Sequence, residues 1–230
     1  MELSGDKVGL QEILDGVDSH ADNQQRFGLP SRLIAKTYLF RLIYGGSAFS
    51  YANDANFTAV STSEKFWQNV IDETYNKYRG LALWHKQLVQ TVTRQGFVRT
   101  PSGREYHYKP EKKRGEMVWP RTTILNYPVQ GFSADLMQIA RISAWRRLRD
   151  KALFVSTVHD DLELDVVNDA QLCYNICIEL ENVFKDVKEN VKKLYGYEMK
   201  VPLAGEVAFG HNLLEMTEFD RSKGPEQFNL

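Results

Sequence analysis

Two groups of residues have the types and spacing to do chemistry. Arg32, Lys36, Phe40 and Tyr44 recur every four positions. On an α-helix, turning ~100° per residue, each step of four drifts by only ~40°. The four side chains therefore form one slanted stripe, about 18 Å long at the helical rise. Two cations at one end suit phosphate oxygens, and two aromatic rings at the other suit a sugar and a base. The stripe is long enough to run beside a whole nucleoside triphosphate. An ordinary helix with a mixed exposed face accounts for the same spacing. The second group is His159-Asp160-Asp161, set between the apolar alternations of FVSTV and LELDVV. Adjacent carboxylates repel, so such a turn is either a solvated loop, for which Asp is locally suited, or a place where hard oxygen donors meet a cation such as Mg²⁺.

These residues need elements to hold them. SRLIAKTYLFRLIYGG reads as a helix with Ser31 as N-cap and Gly45-Gly46 as its stop. The rest of residues 1–58 reads as shorter helical pieces, in which Asp6, Asp15, Asp18 and Asp22 are helix-cap or loop acids. Residues 62–95 form one or two long amphipathic helices. GFVRTPSGREYHY alternates around Pro101-Ser102-Gly103 and predicts a hairpin. PEKKRGEM is expected to be an exposed loop. Residues 122–150 are helical with a break near Pro128, FVSTVHDDLELDVV is a second hairpin, and residues 169–195 form a long helix. VPLAGEVAFG predicts a closing strand, and the tail from Glu218 onwards is expected to be loose. Few, short, hairpin-linked strands among many helices give class α+β.

At 43% hydrophobic and 12% aromatic, the 230 residues can bury a substantial core. No apolar run approaches the ~20 residues that cross a bilayer, and the N-terminus lacks a signal-peptide pattern. Cys173 and Cys177, one helical turn apart with no further ligand in reach, read as core-facing hydrophobes. A reduced, cytoplasmic setting follows as the expectation, in a bacterial cell or a virus-infected host cell. The net charge of −1 gives no global argument for nucleic acid. Arg94, Arg99, Arg104, Lys109, Lys112, Lys113, Arg114 and Arg121 nevertheless gather in one stretch, and Arg141, Arg146, Arg147, Arg149 and Lys151 in another. Such clusters neutralise phosphates or merely solvate a helix face.

The identities of these residues go further than their spacing. Arg-x3-Lys-x3-Phe-x3-Tyr-Gly, from Arg32 to Gly45, resembles the nucleotide-binding helix of family A DNA polymerases, the DNA polymerase I family. His159-Asp160-Asp161 resembles that family's His-Asp-Glu turn, and Asn126-Tyr127-Pro128-Val129-Gln130-Gly131 its Asn-x-Pro-x-Gln-Gly segment. GFVRTPSGRE and VPLAGEVAFG are similar to two further family segments, in the family's order. The resemblance implies template-directed nucleotidyl transfer on primer-template DNA with dNTP as substrate. Arg32 and Lys36 would hold the triphosphate and Phe40 would face the sugar. Tyr44 would pack at the insertion site. Phe at position 40 implies discrimination against sugars lacking the 3′-hydroxyl. Asp160, and less directly the shorter Asp161, would ligand two Mg²⁺ ions ~3.5–4 Å apart. His159 would approach the primer terminus, with Lys36 completing the catalytic set. Asn126, Gln130, Arg121 and Arg104 would contact DNA, the first two in the minor groove, whose acceptors vary little with sequence.

By the same resemblance, residues 1–118 are fingers, 119–215 part of a palm and 216–230 a C-terminal tail. Three departures stand out: Arg41 where relatives have Gly, Asp161 for Glu, and Thr122 at the place of an Arg one turn before Asn126. LSGD at residues 3–6 and Asp18-Ser19-His20 resemble the stretch after the family's first catalytic Asp. That Asp and the thumb are thus expected on a second polypeptide, making this chain one half of a split polymerase that is inactive alone. The alternative is a polymerase remnant that binds nucleotide or nucleic acid without catalysis. A single-subunit RNA polymerase fits the helix but not the turn as well.

Overall fold

The computed structural model describes residues 1–113 and 115–229, so Arg114 lies outside the described residues. They divide into two compact units, Met1–Gly131 and Phe132–Leu230. Helices and small two-stranded antiparallel sheets make up both, which is the α+β class expected. Among the described residues no helix is long and apolar enough to cross a membrane.

The first unit starts with α1 (Lys7–Leu14), α2 (Ser19–Arg26) and α3 (Arg32–Ile43), followed by the short α4 (Ala48–Ala52) and α5 (Ala55–Thr58). Two long helices come next, α6 (Glu64–Lys77) and α7 (Arg79–Gln95). The starts of these helices are set by side chains: Ser31 accepts the Ile34 amide and Ser63 the Phe66 amide. Tyr78 gives α7 no such cap, and a distant residue supplies it. Asp6 caps α1 by accepting the Gly9 amide at 2.9 Å, and its other oxygen accepts Gly80 N at 2.6 Å and Leu81 N at 3.2 Å. One buried carboxylate thus terminates two helices, satisfying orphan amides that would otherwise be costly to bury. A Cβ at Gly80 would stand 2.6 Å from the Asp6 Cα, so glycine permits this approach.

Beneath α3, Tyr38, Tyr51, Phe57 and Trp67 are fully buried and stack on one another, with ring centroids 5.0–6.0 Å apart. Each has a large apolar area to bury and an edge-to-face or stacked partner. The polar atoms are satisfied as well. The Tyr51 hydroxyl donates to the Tyr38 carbonyl, Tyr38 bonds Thr74, and the Trp67 indole donates to the Ser61 carbonyl. Beside this core, Lys77 pairs with Glu12 at 2.8 Å and Asp22 at 2.6 Å and donates to Asn23. Burial lowers the pKa of its ammonium, but Asp22 and Glu12 outweigh that and raise it. This network ties α1 and α2 to α6.

A hairpin of β1 (Phe97–Arg99) and β2 (Glu105–His107) turns at Pro101-Ser102-Gly103, as predicted. The lysine-rich segment is not a plain loop. Its ends pair as β3 (Glu111–Lys113) and β4 (Glu116–Val118), both exposed. A period-two run with no apolar face left no pattern by which to read a strand. The break expected at Pro128 is also absent: α8 (Arg121–Leu148) runs straight through it. Pro128 removes one backbone donor, yet 28 helical residues and a buried ring outweigh that loss here.

In the second unit, β5 (Leu153–Val158) and β6 (Asp161–Asp165) form a hairpin, with an irregularity between Phe154 and Ser156. Then comes α9 (Ala170–Tyr195), capped by Asp169 and stopped by Gly196 in the left-handed conformation. The expected closing strand shrinks to β7 (Ala208–Phe209), paired with β8 (Thr217–Glu218). The tail is not loose. Two 3₁₀ turns, Arg221–Lys223 and Pro225–Phe228, bring Phe228 against Phe209, with ring centroids 4.1 Å apart. Phe219, Phe228 and Cys177 form a small buried cluster, which Cys173 joins from its edge. Burial pushes the Cys177 thiol up to about 12, so it is an inert hydrophobe, as expected. Two exposed phenylalanines would cost more than ordering a short polar tail.

Candidate active site

Helix α3 divides its residues cleanly. Ala35, Tyr38, Leu39 and Leu42 enter the aromatic core, while Arg32, Lys36 and Phe40 are exposed and Tyr44 is half-buried at the C-cap. Lys36, Phe40 and Tyr44 line one open cleft of about 650 Å³ with Leu33, Thr37 and Arg41. Gly45 and Thr122 close its far end. Gly45 has φ +88, and a Cβ there would sit 3.1 Å from the Thr122 Cα, so glycine is needed both for the turn and for the approach.

Arg32 stands over the start of α2, where its Nε meets Asp18 at 2.7 Å. That hydrogen bond holds the Asp18 carboxyl below its ordinary range and raises the guanidinium. Asp18 also accepts the amides of His20 and Ala21 as the N-cap of α2. Lys36 makes no ion pair among the described residues. Sequence reasoning assigned no role to His20, yet its ring lies 5.9 Å from Phe40 and its Nδ1 is buried without a partner among the described residues. Burial lowers the His20 pKa, and Arg32 and Lys36 lower it further. The imidazole is therefore neutral near pH 7, with a hydrogen-bonding nitrogen beside the aromatic end of the stripe. The available signal was the Asp18-Ser19-His20 triplet, legible only once α2 is seen beside α3.

In the other unit, Val158 pairs with Asp161, leaving His159 and Asp160 as a two-residue turn between β5 and β6. His159 has φ +55, the one positive φ outside glycine among the described residues. Two-residue hairpins favour glycine at such positions, so a histidine there is mild strain. His159, Asp160 and Asp161 are all exposed, as is Asp165, while Glu163 is half-buried. As donors, Asp160 and Asp161 are of the hard-oxygen type that Mg²⁺ takes. Among the described residues no three His, Cys, Asp or Glu side chains cluster closely enough to hold a metal ion.

Asn126 and Gln130 fall one turn apart on α8. Gln130 is exposed, and the Asn126 Oδ1 is buried without a partner among the described residues. A side chain on Gly131 would run into Tyr106, whose ring lies 5.9 Å from Tyr127. Gly131 is thus fixed by packing between the β1–β2 hairpin and α8. Arg121 is exposed beside Tyr75, where it lowers a hydroxyl pKa that burial raises. Arg104 is exposed at the turn of the first hairpin, and its carbonyl accepts Thr100 N at 2.9 Å.

The profile described as "DNA polymerase family A" matches residues 2–215. DNA polymerase I of Chloroflexus aurantiacus is 26% identical over 94% of this chain, which corresponds to 22% of that protein. The thermostable DNA polymerase I of Thermus aquaticus is 27% identical over 94% of the chain and 25% of its own length. DNA polymerase I of Pseudomonas aeruginosa reaches 33% identity over 76% of the chain and 20% of its length. The chain thus spans about a quarter of the curated relatives it matches. Among solved structures, the POL domain of Pol1 from M. smegmatis, in complex with DNA primer-template and dNTP, superposes with a TM-score of 0.68. It has 22% identity over 88% of this chain and 35% of that one. On the match across residues 2–215, with its motifs standing in order on the helices and turns just described, the chain belongs to the family A DNA polymerases.

Proposed function

We propose that this chain supplies the nucleotide-binding part and one carboxylate turn of a template-directed DNA polymerase. The observation that carries this reading is the line of exposed Arg32, Lys36 and Phe40 ending at half-buried Tyr44, three of whose members share one open cleft. Arg32 and Lys36 bind the triphosphate of an incoming dNTP, with charge-assisted bonds that favour the charge developing on the phosphates. Phe40 meets the sugar, flanked by the neutral His20 imidazole. Tyr44 packs at the base-insertion end. Asn126, Gln130, Arg121, Arg104 and His159 contact primer-template DNA. Residues 1–118 act as fingers and 119–215 as part of the palm.

Asp160, and less directly the shorter Asp161, would supply hard oxygen ligands to Mg²⁺. Bound there, the ions supply a lowered pKa at the primer 3′-hydroxyl and a counter-charge for the transferred phosphoryl group. Two carboxylates are too few donors for a two-ion site, so a further aspartate comes from another segment. Leu153, Val155 and Val158 are exposed apolar side chains on β5 of this two-stranded hairpin, suited to be covered by such a segment. We infer that a second polypeptide carrying a thumb and that aspartate provides it.

The test is primer extension with Mg²⁺ and dNTPs, by this chain alone and by the assembly that contains it. Extension is expected only from the assembly, and extension by residues 1–230 alone would remove the partner. Asp160→Asn is expected to lower the single-turnover rate ~10³-fold without loss of assembly. Primer-template binding with no extension in either case would mark a non-catalytic binding module instead. Preference for rNTP over dNTP would mark an RNA polymerase.

A further inference from the structure

Arg41 directly follows Phe40 in the last turn of α3, and its surroundings are specific. Its guanidinium pairs with Asp54 at 2.7 Å and lies over the rings of Tyr51 and Phe57, 5.5 and 5.6 Å from their centroids. Asp54 in turn caps α5 by accepting the Asn56 amide. The pair holds the Asp54 carboxyl below its ordinary range. At its other end, the Arg41 carbonyl accepts the Gly46 amide at 2.8 Å. A Cβ at Gly46 would meet that carbonyl oxygen at 2.9 Å, the Arg41 Cγ at 3.0 Å and the Tyr51 hydroxyl at 2.8 Å. One residue therefore joins three parts of the chain: its backbone carbonyl ties the last turn of α3 to the Gly46 stop, its guanidinium reaches the α4–α5 segment, and its stem lines the same cleft as Phe40 and Tyr44.

Two conclusions follow from the geometry. The charge of Arg41 is matched by Asp54 and directed away from the cation end of the stripe, so it is not a third phosphate ligand. Its contacts instead gather at the base end of the stripe: its carbonyl holds the Gly46 amide and its stem packs beside Gly46, two residues beyond Tyr44, in the wall of the same cleft. We propose that Arg41, through its pair with Asp54, is a positioning residue that fixes the Tyr44–Gly46 end of the cleft and so sets discrimination among bases, while leaving triphosphate binding to Arg32 and Lys36. Packing that holds a site to within a fraction of an ångström is what selectivity between similar substrates requires. The inference rests on the proposed nucleotide site.

The experiment compares wild type, Arg41→Met, Arg41→Lys, Asp54→Asn and the Arg41→Met/Asp54→Asn double variant in the native assembly. Three quantities are read: the ratio of incorrect to correct incorporation opposite one template base, the KM for the correct dNTP, and inhibition by inorganic triphosphate. Arg41→Met is expected to raise misincorporation and KM by about tenfold, with kcat and triphosphate inhibition within about twofold of wild type. Asp54→Asn should reproduce this, the double variant should be no worse than either single one, and Arg41→Lys should recover most of the discrimination. A lower melting temperature with an unchanged misincorporation ratio would make Arg41 a purely structural brace and overturn the proposal. Weakened triphosphate inhibition in Arg41→Met would overturn it too, by making Arg41 a phosphate ligand. If the wild-type assembly copies no template, the polymerase reading itself fails, which is a different outcome.

Discussion

The α3 region and the β5–β6 hairpin each carry one group of the proposed functional residues, and the two elements are supported in opposite ways. Helix α3 rests on a fully buried aromatic cluster whose hydroxyl and indole groups are satisfied. Its exposed stripe is held by Asp18 at one end and by Arg41 with Asp54 near the other. The carboxylate turn sits at the tip of a two-stranded hairpin, with His159 in a strained conformation and Leu153 and Val155 exposed. The proposed phosphate and sugar contacts are thus built on a packed scaffold of this chain's own making. The carboxylates are placed only by a short hairpin, which on its own is marginal in water.

This contrast can be broken first at the core. Trp67→Ala is expected to cost ~3–5 kcal/mol, because it empties a site walled by Tyr38, Tyr51 and Phe57. Val155→Ala, on the exposed hairpin face, should stay within ~0.5 kcal/mol. Urea unfolding of the two variants reads the difference. Equal losses would mean that the hairpin is as deeply supported as α3.

A pH titration sharpens the same contrast. His85 is buried between Tyr75, whose hydroxyl is 3.0 Å from its Nδ1, and Trp84, and burial with the nearby Arg121 charge lowers its pKa to about 4. Between pH 6.5 and 4 the unfolded chain takes a proton that the folded chain refuses. The stability of the first unit should therefore fall as pH drops through that window, by ~3 kcal/mol. The fall should be absent in His85→Leu. If its urea midpoint follows wild type down, other groups carry the acid sensitivity.

The smallest effect is at the exposed pair. Asp18→Asn keeps the α2 cap, since Asn caps as well as Asp, but removes the anion from Arg32. Affinity for inorganic triphosphate should rise roughly threefold at low salt, and the gain should vanish at high salt. A fall in affinity would show that Asp18 orients Arg32 instead of competing for it.

Much of this was legible in the residues themselves. Ser31, Gly45 and the four-residue spacing defined α3 before any contact was known, because caps and periodicity are local properties. The two-residue turn at His159-Asp160 was readable for the same reason. Pro128 misled, since its local cost was outweighed by α8 around it. The tail misled as well, since Phe219 and Phe228 find their partners on α9, some forty residues or more away in sequence.

The sequence by itself determined the family, the stripe and the turn, all matters of residue type at short spacing. Only the tertiary structure decided what surrounds them: that Asp6 caps two helices, that His20 stands beside Phe40, and that Arg41 is matched by Asp54. Those contacts join residues far apart along the chain, or side chains aimed by packing. Their energies depend on burial and distance, which no local pattern encodes.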